Sequence, residues 1–263
     1  MVKSKMNKKY EAFVKERENS FLITEEDASG FEDETFSFTS RASKFDEHID
    51  NSIRGYSFLR KDVAAMSRYF VESDTNVIDI GCSQGTLIRS IREINTQAPT
   101  ATYYGIDVNP AFQQHWKDEE NLHYFISDIT KDEFRWGNLS LAISLFTFQF
   151  IPERHRLNLM KTIYDNLIEG GAFIFSEKVF SINSKIQNMM ELMYYHYKKE
   201  HFTEKQILDK DEELQHLAKL TNENLLFQQL HSIGFRDIQS FWRNYNFVGY
   251  IALKLPKNKF EEE

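Results

Sequence analysis

Apolar residues along this chain follow two spacings, short continuous runs and a helical repeat of three to four residues. The run NVIDI (76–80) predicts a buried strand, and GTLIRSIREI (85–94) predicts the helix that follows it. Strands that alternate with helices in this way indicate an α/β fold with a mostly parallel, doubly wound sheet. Four further runs predict strands, at 102–108, 123–129, 139–150 and 172–178.

Helical spacing places further helices before and between these strands. Two amphipathic stretches, FDEHIDNSI (45–53) and YSFLRKDVAAMSRYF (56–70), precede the first strand. Pro110 is predicted to open a helix, because proline is favoured at the first helical position. Gly170 and Gly171 are predicted to close the helix that precedes the last of those strands.

The C-terminal third of the chain departs from this alternation. Residues 181–218 are helical in pattern and rich in Met and Tyr, which predicts a helical insertion. The segment 222–235 then predicts one more helix. The segment 237–254 lacks a helical period and predicts two strands with a short connection.

Composition limits the class of protein. The net charge of −8 argues against a wholly basic nucleic-acid binder. The single cysteine excludes an intramolecular disulfide, and no apolar run approaches the roughly 18 residues of a membrane span. The basic N-terminus lacks the apolar segment of a secretory signal, so we expect a cytoplasmic protein. We interpret 1–40 as a charged N-terminal extension, 41–255 as the α/β domain and 256–263 as a charged tail.

A glycine-bracketed loop follows the first strand, where Gly81 and Gly85 flank the tripeptide CSQ. Glycines let the backbone approach a ligand closely, and the next helix offers its N-terminal amides to an anionic group. The spacing G-x-x-x-G differs from the dinucleotide fingerprint. With Asp79 two residues before the first glycine, it suits an adenosyl cofactor that has no pyrophosphate. The alternative is a strand-to-helix turn whose glycines serve backbone geometry alone.

Further carboxylates are predicted at strand ends. Asp107 ends the second strand and is placed to accept hydrogen bonds from both ribose hydroxyls. Asp128 ends the third strand and is placed to accept one from an adenine amino group, with Ile129 beside the ring. Each aspartate alone can equally be a cap or a loop residue. Because open α/β sheets bind ligands at the carboxyl ends of their strands, the combination predicts S-adenosylmethionine binding.

This layout resembles the class I S-adenosylmethionine-dependent methyltransferases, whose Rossmann-like sheet has seven strands and an antiparallel C-terminal hairpin. The domain 41–255 is similar to theirs. The motifs FDEHIDNSIRGY, DIGCSQGT, GIDVNPAF, SDI, FTFQF, FSEK and LHSIGF, in this order, resemble the carboxy-S-adenosylmethionine synthase family, which serves tRNA wobble-uridine modification. The resemblance implies cofactor contacts from Tyr56, Gly81, Cys82, Ser83, Asp107, Asp128 and Ile129.

The chain departs from that family's pattern at two positions. Leu145 stands where the family has a cofactor-binding asparagine after the fourth strand. Asp211 stands where the family has the arginine that holds the carboxylate of the carboxylated cofactor. A carboxylate repels that group, and the adjacent Lys210 lacks the bidentate fork of a guanidinium. We therefore expect ordinary S-adenosylmethionine as the cofactor.

Methyl transfer requires alignment and a dry pocket more than any particular catalytic side chain. Thr147 and Gln149, after the fourth strand, and Glu177, at the end of the fifth, are the candidates for a catalytic role. Strand-end hydrogen bonds to the backbone, or a structural Glu177–Lys178 pair, are the alternatives. The histidines of the insertion lack metal-ligand spacing, so no metal is expected.

The sequence as a whole predicts an S-adenosylmethionine-dependent methyltransferase with an unknown acceptor. A small molecule is favoured over RNA, because the chain is acidic. The alternatives are the synthase activity itself and a non-catalytic cofactor-binding or scaffold protein. The insertion is expected to form a lid that shapes an aromatic substrate pocket. The alternative is a dimer or core surface, since Met and Tyr at helical spacing usually pack, and both can hold.

Overall fold

The computed structural model of the chain describes residues 45–131 and 136–256, and seven strands within them form one sheet. The strands are β1 (Asn76–Ile80), β2 (Thr102–Asp107), β3 (Leu122–Ile126), β4 (Leu139–Leu145), β5 (Leu167–Lys178), β6 (Asp237–Asn244) and β7 (Phe247–Leu253). Their order across the sheet is β3-β2-β1-β4-β5-β7-β6.

The first five strands are parallel, and the last two form an antiparallel hairpin. Each neighbouring pair from β3 to β5 runs parallel, whereas β7 is antiparallel to both β5 and β6. This confirms the predicted Rossmann-like seven-stranded fold with its antiparallel C-terminal hairpin. The strand order reverses direction between β1 and β4, and in open α/β sheets the crevice at this point is where ligands bind.

Seven α-helices within the described residues surround the sheet and supply the predicted helical insertion. They are α1 (Phe45–Ser52), α2 (Tyr56–Ser67), α3 (Thr86–Ile94), α4 (Glu153–Asn166), α5 (Ser184–Lys198), α6 (Glu204–Leu217) and α7 (Glu223–Ile233). The insertion consists of α5 and α6. Thr203 separates them with a capping box, in which its hydroxyl accepts from Gln206 N and Gln206 Oε1 accepts from Thr203 N.

Two apolar clusters form the core, one on each face of the sheet. On one face, fully buried Leu59 of α2 and Ile88 of α3 pack against the inward side chains of β1 and β4. On the other face, Ile163 of α4 and Leu230 of α7 belong to the cluster of Phe173 in β5. Burying both sheet faces is what a parallel sheet requires, and it leaves the carboxyl ends of the strands as the edge available to a ligand.

The helix predicted to begin at Pro110 is present with a different helix type, and the boundary predicted at Gly170 and Gly171 is wrong. Pro110 opens a short 3-10 helix (Pro110–His115) rather than an α-helix, with the Asn109 side chain accepting from Ala111 N. Gly170 and Gly171 do not close α4, which ends at Asn166, but lie inside β5. The chain turns extended at Leu167 because that residue pairs with Leu139 at the start of β4.

The outer face of α5 exposes four apolar side chains beside polar ones. The apolar side chains are Ile186, Met189, Leu192 and Met193. The homodimer expected through the insertion stays a prediction, and this face is where it would form. No helix among the described residues is both long and apolar enough to span a membrane. Residues 1–40 and 257–263 of the predicted extension and tail lie outside the described residues.

A buried arginine fastens α4 to the segment that follows the insertion. The Arg156 side chain donates to three backbone carbonyls, those of Ile151 at 2.7 Å, Lys219 at 2.9 Å and Gln149 at 3.0 Å. Its guanidinium therefore supplies hydrogen bonds that no local secondary structure can supply.

We expect Arg156→Met to lower the free energy of unfolding by about 3 kcal/mol, because it leaves three carbonyls without their charged donor. Urea denaturation measures the loss. Arg154→Met, at an exposed position of the same helix, is the matched control and should change stability by less than about 0.5 kcal/mol. Equal effects of the two substitutions would show that the buried contacts contribute nothing specific.

Candidate functional site

The loop between β1 and α3 is bound to the end of β2. Gly81 N and Cys82 N both donate to Ile106 O, at 2.7 and 3.0 Å. Gly81, Ser83 and Gly85 all have positive φ, at 78°, 49° and 74°. A left-handed serine is uncommon, and such residues gather at ligand-binding loops. The loop therefore has a fixed, strained shape before any ligand arrives.

Asp107 joins this loop to β2 through both carboxylate oxygens. Its Oδ2 accepts from Ser83 N and its Oδ1 accepts from Asn109 N, each at 2.9 Å. The residue ends β2 and is buried. Each oxygen keeps a second lone pair, so the fixed carboxylate can still accept hydrogen bonds from two hydroxyls of a ligand. This geometry suits the predicted contact with a ribose.

Asp79 is a buried carboxylate without a hydrogen-bond partner in the part of the chain that the structure describes. It is 3% exposed, on β1 beside β2. Burial raises its pKa to about 7, and the negative charge of Asp107 contributes to this rise. An unpaired buried carboxylate beside a second one is unfavourable, so the pair is suited to a cationic ligand.

Neighbouring side chains occupy the space that a Cβ atom would need at Gly81 and Gly85. A Cβ on Gly81 would collide with Thr147 Oγ1, and a Cβ on Gly85 would lie 2.6 Å from a ring carbon of Tyr124. The Tyr124 ring stacks on Trp116, whose Nε1 donates to Ser83 O at 2.8 Å. Both glycines are therefore required by packing, and the alternative interpretation of the loop, that its glycines serve geometry, describes part of their role.

The cofactor contact of Tyr56 that the resemblance implied stays a prediction. Tyr56 begins α2, is 8% exposed, and makes no side-chain hydrogen bond within the described residues. Burial, the largest cause, raises the pKa of its hydroxyl; the charge of Arg60 opposes this rise, and the charge of Asp79 adds to it. Its ring centroid is 6.1 Å from that of Phe146, just past the end of β4. The tyrosine thus belongs both to the core and to the carboxyl edge of the sheet.

Asp128 and Ile129 are predicted to contact the adenine ring from the end of the third strand. The third strand ends at Ile126, so Asp128 lies in the turn beyond it. Its Oδ1 accepts from Thr130 N at 3.0 Å, and its Oδ2 lies 3.1 Å from Lys131 Nζ. Burial opposes the ionised form of Asp128, but these bonds outweigh it and lower the pKa of the carboxyl. Ile129 packs against the second core cluster.

An aromatic wall, defined here as Tyr56, Phe146, Trp242, Phe247 and Tyr194, extends along the carboxyl edge from the loop. Phe146 contacts Trp242 and Phe247 with centroids at 6.4 and 5.5 Å, and Phe247 contacts Tyr194 of α5 at 5.0 Å. Phe146 has a φ of 56°, a strained value for a bulky residue. No local pattern in FTFQF signals this conformation, and Phe146 is not among the residues that the sequence predicts for the site.

A charged cluster lies at the far end of this wall. Lys178 Nζ is 5.2 Å from the ring centroid of Tyr194, and Lys198 Nζ is 5.0 Å from it. Lys198 is 1% exposed, and its Nζ pairs with Asp211 Oδ1 at 2.8 Å. Lys210, adjacent to Asp211, points instead to α1, where its Nζ lies 2.7 Å from His48 Nε2. Leu145 remains a buried core residue at the end of β4.

The three catalytic candidates differ in their contacts. Thr147 covers Gly81, and its hydroxyl donates to Leu145 O at 3.4 Å. Gln149 Oε1 accepts from Lys178 N at 3.1 Å, which is the backbone role named as its alternative. Glu177 is 2% exposed, and burial raises its pKa to about 8 despite Arg156 nearby.

The predicted alternative of a Glu177–Lys178 ion pair is wrong. Phe247 lies opposite Lys178 in the sheet, and Val248 lies opposite Glu177. Phe247 belongs to the first core cluster and Val248 to the second. Successive strand residues point to opposite faces, so the two charges are separated by the sheet. No metal-binding group of His, Cys, Asp and Glu occurs among the described residues.

The residues present fit the predicted cofactor. S-adenosylmethionine carries a ribose diol and a net positive charge on its reactive half, and the site offers the fixed carboxylate of Asp107 and the unpaired carboxylate of Asp79. The hydroxyl of Tyr56 lies near enough to Asp79 for the charge of that carboxylate to raise its pKa. Two carboxylates would be poorly matched to an anionic pyrophosphate.

The chain is similar to known proteins in both sequence and fold. Residues 77–171 match the family model of a methyltransferase domain. The carboxy-S-adenosyl-L-methionine synthase of Staphylococcus epidermidis is 32% identical over 224 residues, covering 84% of this chain and 96% of that protein. The protein of the same name from Methylococcus capsulatus is 32% identical over 82% of this chain and 91% of its own length.

Solved structures share the fold. The putative methyltransferase of Haloferax volcanii, solved with the Trm112 activator, aligns with a TM-score of 0.58 and 14% identity, over 85% of this chain and 100% of that one. Human N-acetylserotonin methyltransferase, solved with S-adenosylmethionine, aligns with a TM-score of 0.54 and 17% identity. The alignment covers 83% of this chain but only 57% of the human chain.

We expect Asp79→Asn to stabilise the cofactor-free protein at pH 8 and to weaken S-adenosylmethionine binding. Because the pKa of Asp79 rises from 3.8 to about 7 on folding, the folded protein binds this proton more tightly. Wild-type stability should therefore fall as the pH rises from about 4 to about 7, by at most about 4 kcal/mol, and this fall should be smaller in the variant.

Urea denaturation at pH 5 and pH 8 measures this difference, and calorimetry measures binding. Asp62→Asn, at an exposed position of α2, is the matched control and should follow the wild type. Identical pH dependence in the wild type and Asp79→Asn would contradict the assignment of the buried carboxylate.

Proposed function

We propose that this chain, which belongs to the carboxy-S-adenosyl-L-methionine synthase family within the class I S-adenosylmethionine-dependent methyltransferases, transfers a methyl group to a small-molecule acceptor. The chain is an S-adenosylmethionine-dependent transferase, and S-adenosylmethionine is its cofactor. The proposal concerns the group that is transferred and the kind of acceptor.

One observation carries the choice of methyl transfer, the ion pair of Asp211. At this position the family pattern has an arginine that holds the cofactor's extra carboxylate. Here an aspartate stands instead, and its carboxylate already pairs with buried Lys198 at 2.8 Å. The extra carboxylate of a carboxylated cofactor would approach Lys198, which already has the Asp211 carboxylate as its partner. The two carboxylates would then repel each other. The ordinary cofactor brings no such group.

The residues of the site can then be given roles. When bound, the cofactor supplies an electrophilic methyl group on a sulfonium centre. Asp107 accepts from the ribose hydroxyls, and Asp79 offsets the cofactor's positive charge. Tyr56 and Phe146 exclude water from the reacting region, which favours a displacement in which charge is dispersed. The acceptor is aligned by the aromatic wall.

The insertion supports a small acceptor. Its two helices are fastened to α1, where Tyr197 OH donates to Asp50 O at 2.9 Å and Lys210 Nζ approaches His48. Tyr194 of the same insertion packs on Phe247 at the carboxyl edge. A helical pair held over this edge favours a compact ligand over a nucleic acid, as does the net charge of −8.

The second candidate is the synthase activity, which the names of the relatives favour. It requires that Lys198 or a neighbouring cation serve the ligand's carboxylate in place of the arginine. The two candidates differ in which cofactor the protein binds more tightly.

We expect wild-type protein to bind S-adenosylmethionine more tightly than carboxy-S-adenosylmethionine, and Asp211→Arg to shift this preference by at least about tenfold towards the carboxylated compound. The substitution removes a negative charge and adds the bidentate donor of the family pattern. Isothermal titration calorimetry with both compounds measures the ratio.

Asp209→Arg is the matched control, because the same change is made at an exposed position of α6. It should leave the ratio within about threefold of the wild type. A wild-type protein that prefers the carboxylated compound tenfold or more would replace our proposal with the synthase activity.

A further inference from the structure

One ammonium group at the carboxyl edge has no anionic partner among the residues that the structure describes. Lys178 ends β5 with its side chain on the face of the first core cluster, beside Tyr194 and Phe247. Within the described ranges it makes no ion pair and no side-chain hydrogen bond. Burial, the largest cause, lowers its pKa, and the positive charge of Lys198 also lowers it. A desolvated cation between two rings is suited to an incoming anion.

The neighbouring charges do not neutralise this group. Asp211 and Glu191 both act on Lys178 through their fields, but neither forms an ion pair with it. Asp211 instead pairs with Lys198, and Glu191 is exposed and accepts from Gln187. The cluster at the end of the wall thus holds two buried or partly buried cations and one closely paired carboxylate.

The position of Lys178 relative to the cofactor residues is set by the aromatic wall. Lys178 Nζ lies 5.7 Å from the ring centroid of Phe247, which packs on Phe146, which packs on Tyr56. The charge of Asp79 in turn raises the pKa of the Tyr56 hydroxyl. The ammonium of Lys178 is therefore at the opposite end of this wall from the carboxylates that suit the cofactor.

We propose that Lys178 binds a carboxylate carried by the acceptor, whose apolar or aromatic body packs against Phe146, Phe247 and Tyr194. This inference rests on the proposed function and names its substrate class, a small monocarboxylic acid with an apolar body. Lys178 is then the residue that determines specificity for an acid over the corresponding amide. Asp211 limits the acceptor to one acidic group, because the Asp211 carboxylate would repel a second acidic group of the acceptor.

The test is calorimetric titration of matched acids and amides into protein saturated with S-adenosylhomocysteine. The pairs are benzoate and benzamide, 4-hydroxybenzoate and 4-hydroxybenzamide, and 3-phenylpropionate and 3-phenylpropionamide. We expect at least one acid to bind at least about tenfold more tightly than its amide. Lys178→Met should abolish this preference, and Lys178→Arg should retain it within about threefold.

Lys199→Met is the matched control, since Lys199 is an exposed lysine one residue beyond α5 that pairs with Glu204. It should bind the acids as the wild type does. Equal binding of acids and amides throughout the panel, or an acid preference that survives in Lys178→Met, would overturn the proposal.

Two further outcomes separate this proposal from the function on which it rests. If Lys178→Met weakens S-adenosylhomocysteine binding as much as acid binding, the lysine holds the cofactor's own carboxylate and the acceptor proposal is wrong. The panel is also titrated without cofactor. If the wild type binds no S-adenosylhomocysteine but still prefers acids through Lys178, the result supports the anion site and contradicts the proposed methyl transfer.

Discussion

Two buried carboxylates on adjacent strands, with no cation between them among the described residues, are the constraint around which this protein is arranged. Asp79 and Asp107 lie on neighbouring strands, and burial raises the pKa of both. Asp107 is supported by backbone amides, whereas Asp79 has no such support within the described residues. The fold accepts this unfavourable charge because a cationic ligand removes it. Function and stability are therefore opposed at this point.

The loop after β1 connects these carboxylates to the rest of the site. Its backbone is fastened to β2 through Ile106 O and the Asp107 carboxylate, and Thr147 fills the face of Gly81. Thr147 follows Phe146, whose backbone is strained, so the loop contacts the residue next to the start of the aromatic wall. A ligand bound at this fixed loop would therefore lie near the surface on which an acceptor would pack.

We propose that the charged cluster at the far end of the wall is where this chain departs from the pattern of the family that its motifs resemble. The resemblance implies that a guanidinium of that pattern receives a carboxylate from the ligand. Here Asp211 supplies a carboxylate from the protein itself, and it pairs with Lys198. Lys178 is left as the cation without a close partner among the described residues.

The sequence alone determined the α/β class, the strand positions and the glycine loop with Asp107, because hydrophobic period and turn chemistry are local properties of the chain. It also located Asp211 by its motif. It could not place Phe146, whose left-handed backbone depends on packing against Trp242 and Phe247. The separation of Glu177 from Lys178 follows from the alternation of faces along a strand, which is a local property. Only the tertiary structure brought the lysines of β5 and α5 to one tyrosine. Charges distant in sequence meet through long-range packing, which no local pattern encodes.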